Sequence, residues 1–312
     1  MRAAGMSRRS MVAGSVATGA MSLLYGAEDS SAEKLPWIDA HSHIWTTDLK
    51  SYPLRNAQTV EVLQPRSFTD DELLAVAGRS GVGRVVLIQH RPYHGFDNTY
   101  LIDAWKKRPD AFRIVGQIED RDPQVARLMK QMLQTGVTGF RVGPNPDRED
   151  WLAGEGIRQM WKTAAETRQN ICCLINPEDL PDVAKWCQQY SETPVVIDHF
   201  ARVGIDGRIR EMDLAHLAGL AKFPQVRIKI SAYYALGQKQ PPHDELIPMI
   251  RRLFEAFGAD RLMWASDAPY QLTEPNSYEA SIALVRDRLD FITESDRRKL
   301  LCETAEKTFF WK

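Results

Sequence analysis

Eight short apolar runs recur along the chain, separated by stretches of largely helical periodicity. Their Val and Ile content is typical of buried strands. The runs lie at residues 37–43, 84–89, 112–119, 137–143, 171–176, 194–200, 226–234 and 262–270. Because strands that alternate with helices imply βαβ units, this order predicts a parallel sheet. Eight such units within roughly 275 residues match a (β/α)8 barrel, whose usual size is about 250 residues. We therefore predict an α/β protein of the TIM-barrel class.

Residues typical of helix termini support the same order. Thr69 and Asp70 are candidates for the N-cap of the first helix. In a later segment Asp122 is expected at the N-cap, Pro123 at the first helical position and Gly136 just beyond the end. The predicted helices cover residues 69–80, 122–136, 156–170, 177–190, 210–223, 244–258, 276–292 and 293–312.

Polar side chains stand at or near the C-terminal end of every run. In a barrel these ends ring one mouth, where barrel enzymes keep their chemistry. An open doubly wound sheet is the alternative, but no GxGxxG follows the first run, which also disfavours a dinucleotide-dependent oxidoreductase. The polar residues are His41 and His43, Gln89, Glu119, Arg141, Asn176, His199, Lys229 with Ser231, and Asp267.

The N-terminal segment differs in character from the rest of the chain. Arg8 and Arg9 precede an apolar, small-residue run that is too short and too rich in Gly, Ala and Ser for a membrane span. The pattern "SRRSMV" predicts a twin-arginine-like export signal over residues 1–27, followed by a linker over 28–34. An uncleaved anchor is the alternative. We expect export to a periplasm or cell surface, no stable membrane span after cleavage, and one barrel domain over 35–312. In that domain the last helix, beginning at Thr293 or Ser295, is expected to close the barrel floor or pack outside it.

Net charge and cysteine spacing limit the classes of binding partner that this chain can have. A net charge of −1 over 312 residues leaves no electrostatic footprint for nucleic acid or an anionic membrane. Cys172, Cys173, Cys187 and Cys302 have no CxxC spacing, so we interpret them as core thiols. The expected partner is a small-molecule substrate, and a homo-oligomer stays open.

Two histidines two residues apart begin the set of residues that could carry chemistry. In "IDAHSHIWT", His41 and His43 would project to the same side of a strand, because residues i and i+2 share a face. By itself the motif fits a metal or substrate site and equally a strand end with surface histidines. Two further motifs, "VVIDHF" and "MWASDAPY", place His199 and Asp267 at the ends of the sixth and eighth runs.

These motifs, in this order from Trp37 onward, resemble the metal-dependent amidohydrolase superfamily and, within it, the amidohydrolase-2 branch. The stretch "VVLIQHRPYHGFDNTYLIDA", together with "GFRVG", "PVVIDHF" and "RIKIS", is similar to the 2-pyrone-4,6-dicarboxylate lactonase-like and sugar-lactonase group. The resemblance implies a TIM-barrel hydrolase that opens a cyclic ester. A sugar lactone and a carboxylated pyrone both stay open as the substrate.

The resemblance also implies roles for the four residues. Asp267 would take a proton from water and later deliver it to the leaving alkoxide. His41, His43 and His199 would polarise the carbonyl, either directly or as ligands, with Asp267, of one divalent metal ion, Zn or Mn. Members with a full metal site usually carry a histidine on the fifth strand, and Asn176 stands there in this sequence. The branch includes members that work without metal, so metal dependence stays open.

Substrate-binding residues are predicted at other run ends. Arg141 offers a planar fork suited to a carboxylate, with an ion pair to Glu119 as the alternative. Lys229 and Ser231 are two residues apart and face the same way. The contacts that the resemblance adds from the second loop are Gln89, Tyr93 and Asn98, with Asp97 beside them.

Two other functions are weighed against lactone hydrolysis. A non-oxidative decarboxylase of an aromatic or enoic acid, a chemistry also found in this branch, would need a firmly held divalent metal. A non-catalytic binding barrel would have no use for a water-facing carboxylate such as Asp267. Of the other histidines, His94 is expected within reach of substrate with His90 nearby, and His216 and His243 are expected on the surface.

Overall fold

Eight parallel strands form the centre of the described part of the chain, residues 37–144 and 151–311 of a computed structural model. Each strand hydrogen-bonds the one that follows it in sequence. The strands are β1 (Trp37–Ser42), β2 (Val82–Ile88), β3 (Phe112–Gly116), β4 (Val137–Val142), β5 (Asn170–Cys173), β6 (Val195–Ile197), β7 (Val226–Ile230) and β8 (Leu262–Trp264). The predicted (β/α)8 barrel is confirmed.

Backbone hydrogen bonds at the C-terminal ends of β1 and β8 join the first and last strands. Ser42 pairs with Ala268 in a parallel bridge. The backbone N–H of His43 donates to the carbonyl of Ala268 at 2.8 Å, and that of Asp267 donates to the carbonyl of His41, also at 2.8 Å. The bonds that close the barrel therefore also fix the backbones of three predicted site residues.

Helices connect the strands, as parallel pairing requires. The first begins at a capping box in which Thr69 is the N-cap: its hydroxyl accepts from the N–H of Glu72, and its own N–H donates to the Glu72 carboxylate at 2.6 Å. The helices are α1 (Asp70–Arg79), α2 (Arg91–His94), α3 (Thr99–Lys107), α4 (Val125–Met132), α5 (Glu155–Thr167), α6 (Leu180–Gln189), α7 (Glu211–Gly219), α8 (Ile247–Phe257), α9 (Tyr278–Asp287), α10 (Glu294–Arg298) and α11 (Thr304–Phe309).

The C-terminal helices close the floor of the barrel, as expected. Thr293 caps α10 in a second capping box, and a π-helical turn over Lys299–Glu303 joins α10 to α11. Cys302 and Phe309 pack in one apolar cluster with side chains of the barrel interior. Those interior side chains include Ile38, Val86, Val115, Cys172, Val196 and Met263.

Two predicted helix details are wrong. No helix was predicted where α3 lies, because its buried Leu101 and Ala104 form too short a pattern for periodicity to reveal. In α4, helical structure begins at Val125 and not at Pro123, because a carboxylate oxygen of Asp122 accepts from the N–H of Gln124 at 2.7 Å and forms a separate turn. Gly136 does end that segment, with φ of 78°.

Several strands end earlier than predicted. The sixth stops at Ile197 because His199 to Arg202 have positive φ, which turns the chain out of the sheet. The eighth stops at Trp264, and Asp267 likewise has a φ of 63°. The predicted site residues therefore stand on tight turns after the strands, where the backbone sets the direction of each side chain.

β1 carries an irregularity at the site. Its pairing with β2 shifts register between Asp39 and Ser42. Ala40 belongs to the interior apolar cluster, and the next residue, His41, contacts Lys229 of the barrel interior. Two consecutive side chains therefore face inward, which strict alternation would forbid.

Other sequence predictions have mixed outcomes. Cys172, Cys173, Cys187 and Cys302 are free and buried, as predicted. None of the helices in the described ranges has the length and apolar character needed to cross a bilayer. The predicted signal over 1–27 and linker over 28–34 lie outside the described residues.

Candidate active site

Four side chains from three strand ends meet at the barrel mouth. Oδ1 of Asp267 lies 3.5 Å from Nε2 of His41 and 3.3 Å from Nε2 of His43. Oδ2 of Asp267 lies 3.8 Å from Nε2 of His199. All four side chains are buried. The structure thus brings together the four residues singled out from the sequence, while their catalytic roles stay predictions.

The hydrogen bond at Nδ1 of His43 determines which ring nitrogen carries the hydrogen. Nδ1 lies 2.8 Å from the carbonyl oxygen of Ile88, and because a carbonyl only accepts, Nδ1 carries the hydrogen. In the neutral ring Nε2 then presents a lone pair towards Oδ1 of Asp267. Two acceptors 3.3 Å apart are favourable only with a proton or a cation between them. On the far side of the site, Nδ1 of His199 lies 2.8 Å from the hydroxyl of Ser231.

Asp267 is oriented by a tyrosine. The hydroxyl of Tyr234 donates to Oδ2 of Asp267 at 2.8 Å, and burial together with Asp267 raises the pKa of Tyr234, so that it stays a donor. Oδ1 makes no hydrogen bond of ordinary geometry to any described residue. One oxygen of the carboxylate is therefore fixed, and the other is left for a proton, a water molecule or a cation.

A second aspartate lies behind His41. Asp198, fully buried, receives Nε and Nη2 of Arg141 on Oδ2 at 3.2 and 3.1 Å. Nζ of Lys229 lies 3.0 Å from Oδ1. The same two cations flank the imidazole of His41, with Nη2 of Arg141 2.6 Å from Nε2 and Nζ of Lys229 3.3 Å from Nδ1. Asp198, Arg141 and Lys229, named here the buried charge cluster, thus surround that ring.

Protonation states follow from burial and charge. Burial opposes the ionisation of Asp267, but His199, His43 and His41 outweigh it, and its pKa lies below the ordinary aspartate value. Burial likewise opposes the ionisation of Asp198, but Lys229 and Arg141 hold its pKa well below the usual range. Both carboxylates are therefore ionised at neutral pH.

Three histidines of the site, His41, His199 and His90, favour the neutral form. Burial, with Lys229 next in importance, lowers the pKa of His41 well below its usual range. Burial lowers the pKa of His199 to about 4 and that of His90 to about 2. Neutral imidazoles beside an ionised carboxylate are the forms that bind divalent metals.

The donor set fits a divalent metal ion. The ligand atoms of His41, His43 and Asp267 lie within 4.8 Å of one another, and those of His41, Asp198 and His199 form a second such group. Atoms bound to one tetrahedral zinc ion at about 2.0 Å lie about 3.3 Å from one another. The distances from Oδ1 of Asp267 to the Nε2 atoms of His41 and His43, 3.5 and 3.3 Å, are close to that separation between ligand atoms. The Nδ1–H of His43 also donates to a backbone carbonyl, an arrangement that is usual for metal-bound histidines.

A cavity of approximately 790 Å³ opens above these residues. This volume is within the range of small-molecule sites, about 300–1,000 Å³. His43, His199 and Asp267 line it together with Tyr234 and Tyr270. The arginines that line it are Arg55, Arg91, Arg141 and Arg202. The site is therefore open to a small substrate and rich in positive charge.

Of the six predicted substrate-binding residues, Arg141 lines the cavity. Its carboxylate partner is Asp198 and not the suggested Glu119, which is exposed and stands beyond β3. Lys229 and Ser231 are fully buried, on Asp198 and His199 respectively, and are not among the described lining residues. The structure therefore places these two behind the cavity wall.

The three second-loop residues hold the loop itself. The side-chain amide of Gln89 donates to the carbonyl of Asp97. The hydroxyl of Tyr93 accepts from the N–H of Gln64 at 3.0 Å. Asn98 bonds the backbone of Gln117 in both directions, at 2.8 and 2.9 Å. Gln89, Tyr93 and Asn98 also fall outside the described cavity lining, and their assignment as substrate contacts stays a prediction.

Sequence reasoning overlooked Asp198 and Tyr234 and underrated His90. Asp198 directly precedes His199 in "VVIDHF", and Tyr234 lies in "ISAYY", so the sequence placed both beside chosen residues without indicating their partners. His90 lines the cavity with Nε2 2.6 Å from the Tyr270 hydroxyl, whereas His94 faces the carbonyl of Pro53.

The two histidines expected on the surface differ. His216 is exposed, as predicted. The prediction for His243 is wrong: it is fully buried, because a left-handed backbone with φ of 65° turns it inward against the ring of Tyr233 at 5.6 Å.

Comparisons with known proteins agree with this geometry. Residues 38–311 match the family described as Amidohydrolase. The L-fucono-1,5-lactonase of Burkholderia ambifaria is 28% identical over 242 residues, which are 74% of this chain and 80% of that protein. The 4-sulfomuconolactone hydrolase of Rhizobium radiobacter is 28% identical over 236 residues, 74% of this chain and 75% of that protein.

A solved structure from Pseudomonas putida, of a candidate 2-pyrone-4,6-dicarboxylic acid hydrolase, superposes with a TM-score of 0.75 at 26% identity. It covers 88% of this chain and 98% of that one. The family match over residues 38–311 therefore spans the strands and helices from β1 to α11.

Proposed function

This chain belongs to the amidohydrolase family, and from that premise we propose that it hydrolyses the ester bond of a lactone, with Asp267 as the base. The observation that carries the proposal is the carboxylate of Asp267, ionised and with Oδ1 free, at the floor of a cavity of substrate size. The two curated relatives described above are named for lactones, which supports the same reaction.

Asp267 moves the proton. Oδ1 accepts a proton from water as the water oxygen bonds to the carbonyl carbon, and Tyr234 keeps Oδ2 in place meanwhile. The tetrahedral intermediate then breaks its ring C–O bond, and Asp267 returns the proton to the leaving alkoxide. The product is an open-chain hydroxy acid, which ionises and releases one proton to the solution.

Arg141 and the histidines stabilise the charge that develops. As water attacks, negative charge builds on the carbonyl oxygen, and donors fixed in advance lower the barrier. Arg141 and His199 both line the cavity beside Asp267. Arg141 is fixed by Asp198, and His199 lies against Ser231, so neither has to reorganise during the reaction.

Where a divalent ion, Zn or Mn, is bound, His41, His43 and Asp267 would hold it, with His199 near Oδ2 of Asp267. Such an ion supplies Lewis-acid polarisation of the carbonyl and a water molecule of lowered pKa.

The test is a pH-indicator assay of purified protein on a panel of sugar lactones and carboxylated pyrones, with and without added Zn²⁺ or Mn²⁺. We expect the wild-type protein to release acid from at least one lactone. The Asp267→Asn variant should not accelerate the hydrolysis of that lactone. Carbon dioxide release from an aromatic or enoic acid, with no lactone accepted, would instead identify the decarboxylase. If wild type and variant are equally inactive on both panels, the proposal is wrong.

We also propose that the enzyme is exported. Arg8 and Arg9 ahead of the apolar run up to Ala27 support a twin-arginine-like signal. Fractionation of cells that express the full chain should find it outside the cytoplasm. Replacing both arginines by lysine should retain it inside, and an unchanged distribution would contradict the proposal.

A further inference from the structure

The guanidinium of Arg141 contacts one of the nitrogen atoms that would bind a metal ion, Nε2 of His41. Nη2 of Arg141 is 2.6 Å from Nε2 of His41, and that nitrogen also faces Oδ1 of Asp267 at 3.5 Å. An arginine nitrogen only donates, so Nε2 of His41 presents its lone pair to the guanidinium. A metal ion held by His41, His43 and Asp267 through the atoms that face one another would need the same lone pair.

Arg141 is held there from behind. Asp198 accepts its Nε and Nη2 on one oxygen and carries Lys229 on the other at 3.0 Å. Nζ of Lys229 in turn lies 5.2 Å from the ring centre of Phe309, the side chain that closes the barrel floor. Because Asp198 and Lys229 are fully buried, the guanidinium is anchored to a rigid partner.

The charges around His41 already balance. In the described part of the chain, four charged side chains contact its ring, two positive and two negative: Arg141, Lys229, Asp198 and Asp267. A divalent ion would add two positive charges with no further carboxylate in contact with the ring to offset them. In a buried site such uncompensated charge is strongly unfavourable.

We propose that Arg141 is the resident cation of this site and competes with divalent metal ions for Nε2 of His41. The guanidinium supplies the positive charge that the lone pairs of His41 and His43 and the carboxylate of Asp267 require, and it thereby sets the metal affinity. This inference concerns binding alone and does not depend on the reaction proposed above.

The test is a Zn²⁺ titration of metal-free protein against a chromophoric chelator of known affinity. We expect Arg141→Gln to bind Zn²⁺ at least about tenfold more tightly than wild type, since it removes one positive charge and frees Nε2 of His41. The matched control is Arg202→Gln, another arginine of the cavity wall, whose guanidinium bonds Asn176 instead. It should change the affinity by less than about threefold.

Two further variants locate the effect. The double variant Arg141→Gln/His41→Asn should lose the gain, because the freed nitrogen is gone. Arg141→Lys, whose side chain ends earlier, keeps the charge beside Asp198 and should give a smaller gain, and it serves if Arg141→Gln does not fold. Unchanged or weaker Zn²⁺ binding in a folded Arg141 variant, an equal gain in Arg202→Gln, or a gain that survives loss of His41 would each overturn the proposal.

Discussion

Asp267 and Asp198 are two buried aspartates just beyond the ends of β8 and β6, and both have a pKa below the ordinary value. Their surroundings differ. Both oxygens of Asp198 face cations, Lys229 and Arg141. Asp267 has histidines around it, a hydrogen bond from Tyr234 on one oxygen, and a second oxygen without a hydrogen bond from any described residue.

The difference teaches that burial and ionisation do not identify a reactive carboxylate. A carboxylate whose two oxygens each lie against a fixed cation cannot accept a proton from water without weakening those ion pairs. One with a free oxygen can do so, provided that its orientation is fixed. Asp198 therefore belongs to the scaffold of the site and Asp267 to its chemistry, and this distinction can be tested by treating the two residues alike.

The largest effect is expected from Asp267→Asn. An amide cannot take the proton from water, so kcat/KM on an accepted lactone should fall by about 10²- to 10⁴-fold. The free energy of unfolding should change less than it does for the matching change at Asp198. Activity above a tenth of wild type, in a protein with an unchanged circular dichroism spectrum, would show that Asp267 is not the base.

Asp198→Asn should reduce the free energy of unfolding more than Asp267→Asn does, because Asp198 belongs to the scaffold of the site. Lys229 and Arg141 would be left buried without their carboxylate, and we expect a loss of about 3 kcal/mol in the free energy of unfolding. Urea denaturation of the two asparagine variants in parallel measures this. If Asp198→Asn loses less than Asp267→Asn does, the assignment of Asp198 to the scaffold is wrong.

The pH dependence of the free energy of unfolding distinguishes the histidines around Asp267 from the two aspartates themselves. The pKa of His199 is about 4 in the folded chain, against about 6.5 for an ordinary histidine. Between these values the unfolded chain binds a proton that the folded chain does not, so stability falls as the pH falls. From pH 7 to pH 5, His199 alone should account for about 2 kcal/mol.

The control for this window is His199→Asn, whose stability should decline less on acidification because the titrating ring is gone. Asp198 and Asp267 do not contribute here. Their pKa values are lowered, so their stabilisation is present above the ordinary aspartate value of 3.8 and is lost only below it. Parallel slopes for wild type and His199→Asn between pH 7 and 5 would refute the assignment.

The smallest effect is expected from Tyr234→Phe. Loss of the hydroxyl removes the hydrogen bond of 2.8 Å to Oδ2 of Asp267, worth about 1 kcal/mol, or about fivefold in kcat. The missing donor should also raise the pKa of Asp267 and move the acid limb of the kcat/KM profile to higher pH. A change in KM with no displacement of that limb would mean that Tyr234 only contacts substrate.

Local pattern in the sequence carried most of the fold and part of the site. The apolar runs revealed all eight strands, because each is short and buried on both faces. The motifs around His41, His43, His199 and Asp267 stood out because few residue types serve as bases or metal ligands. By contrast, α3 was missed because only two of its nine residues, Leu101 and Ala104, are buried, too few to mark a helical repeat, and His243 was misplaced because its backbone direction has no sequence signature.

The sequence by itself determined the order of strands and helices and the residue types available at the barrel mouth. Only the tertiary structure decided which aspartate is paired with two cations, that Arg141 pairs with Asp198 across 57 positions of chain, and that Lys229 and Ser231 lie behind the cavity wall. The physical reason is that strand propensity is a property of neighbouring residues. The state of a buried carboxylate depends on charges brought to it from other strands, at distances that only the closed barrel sets.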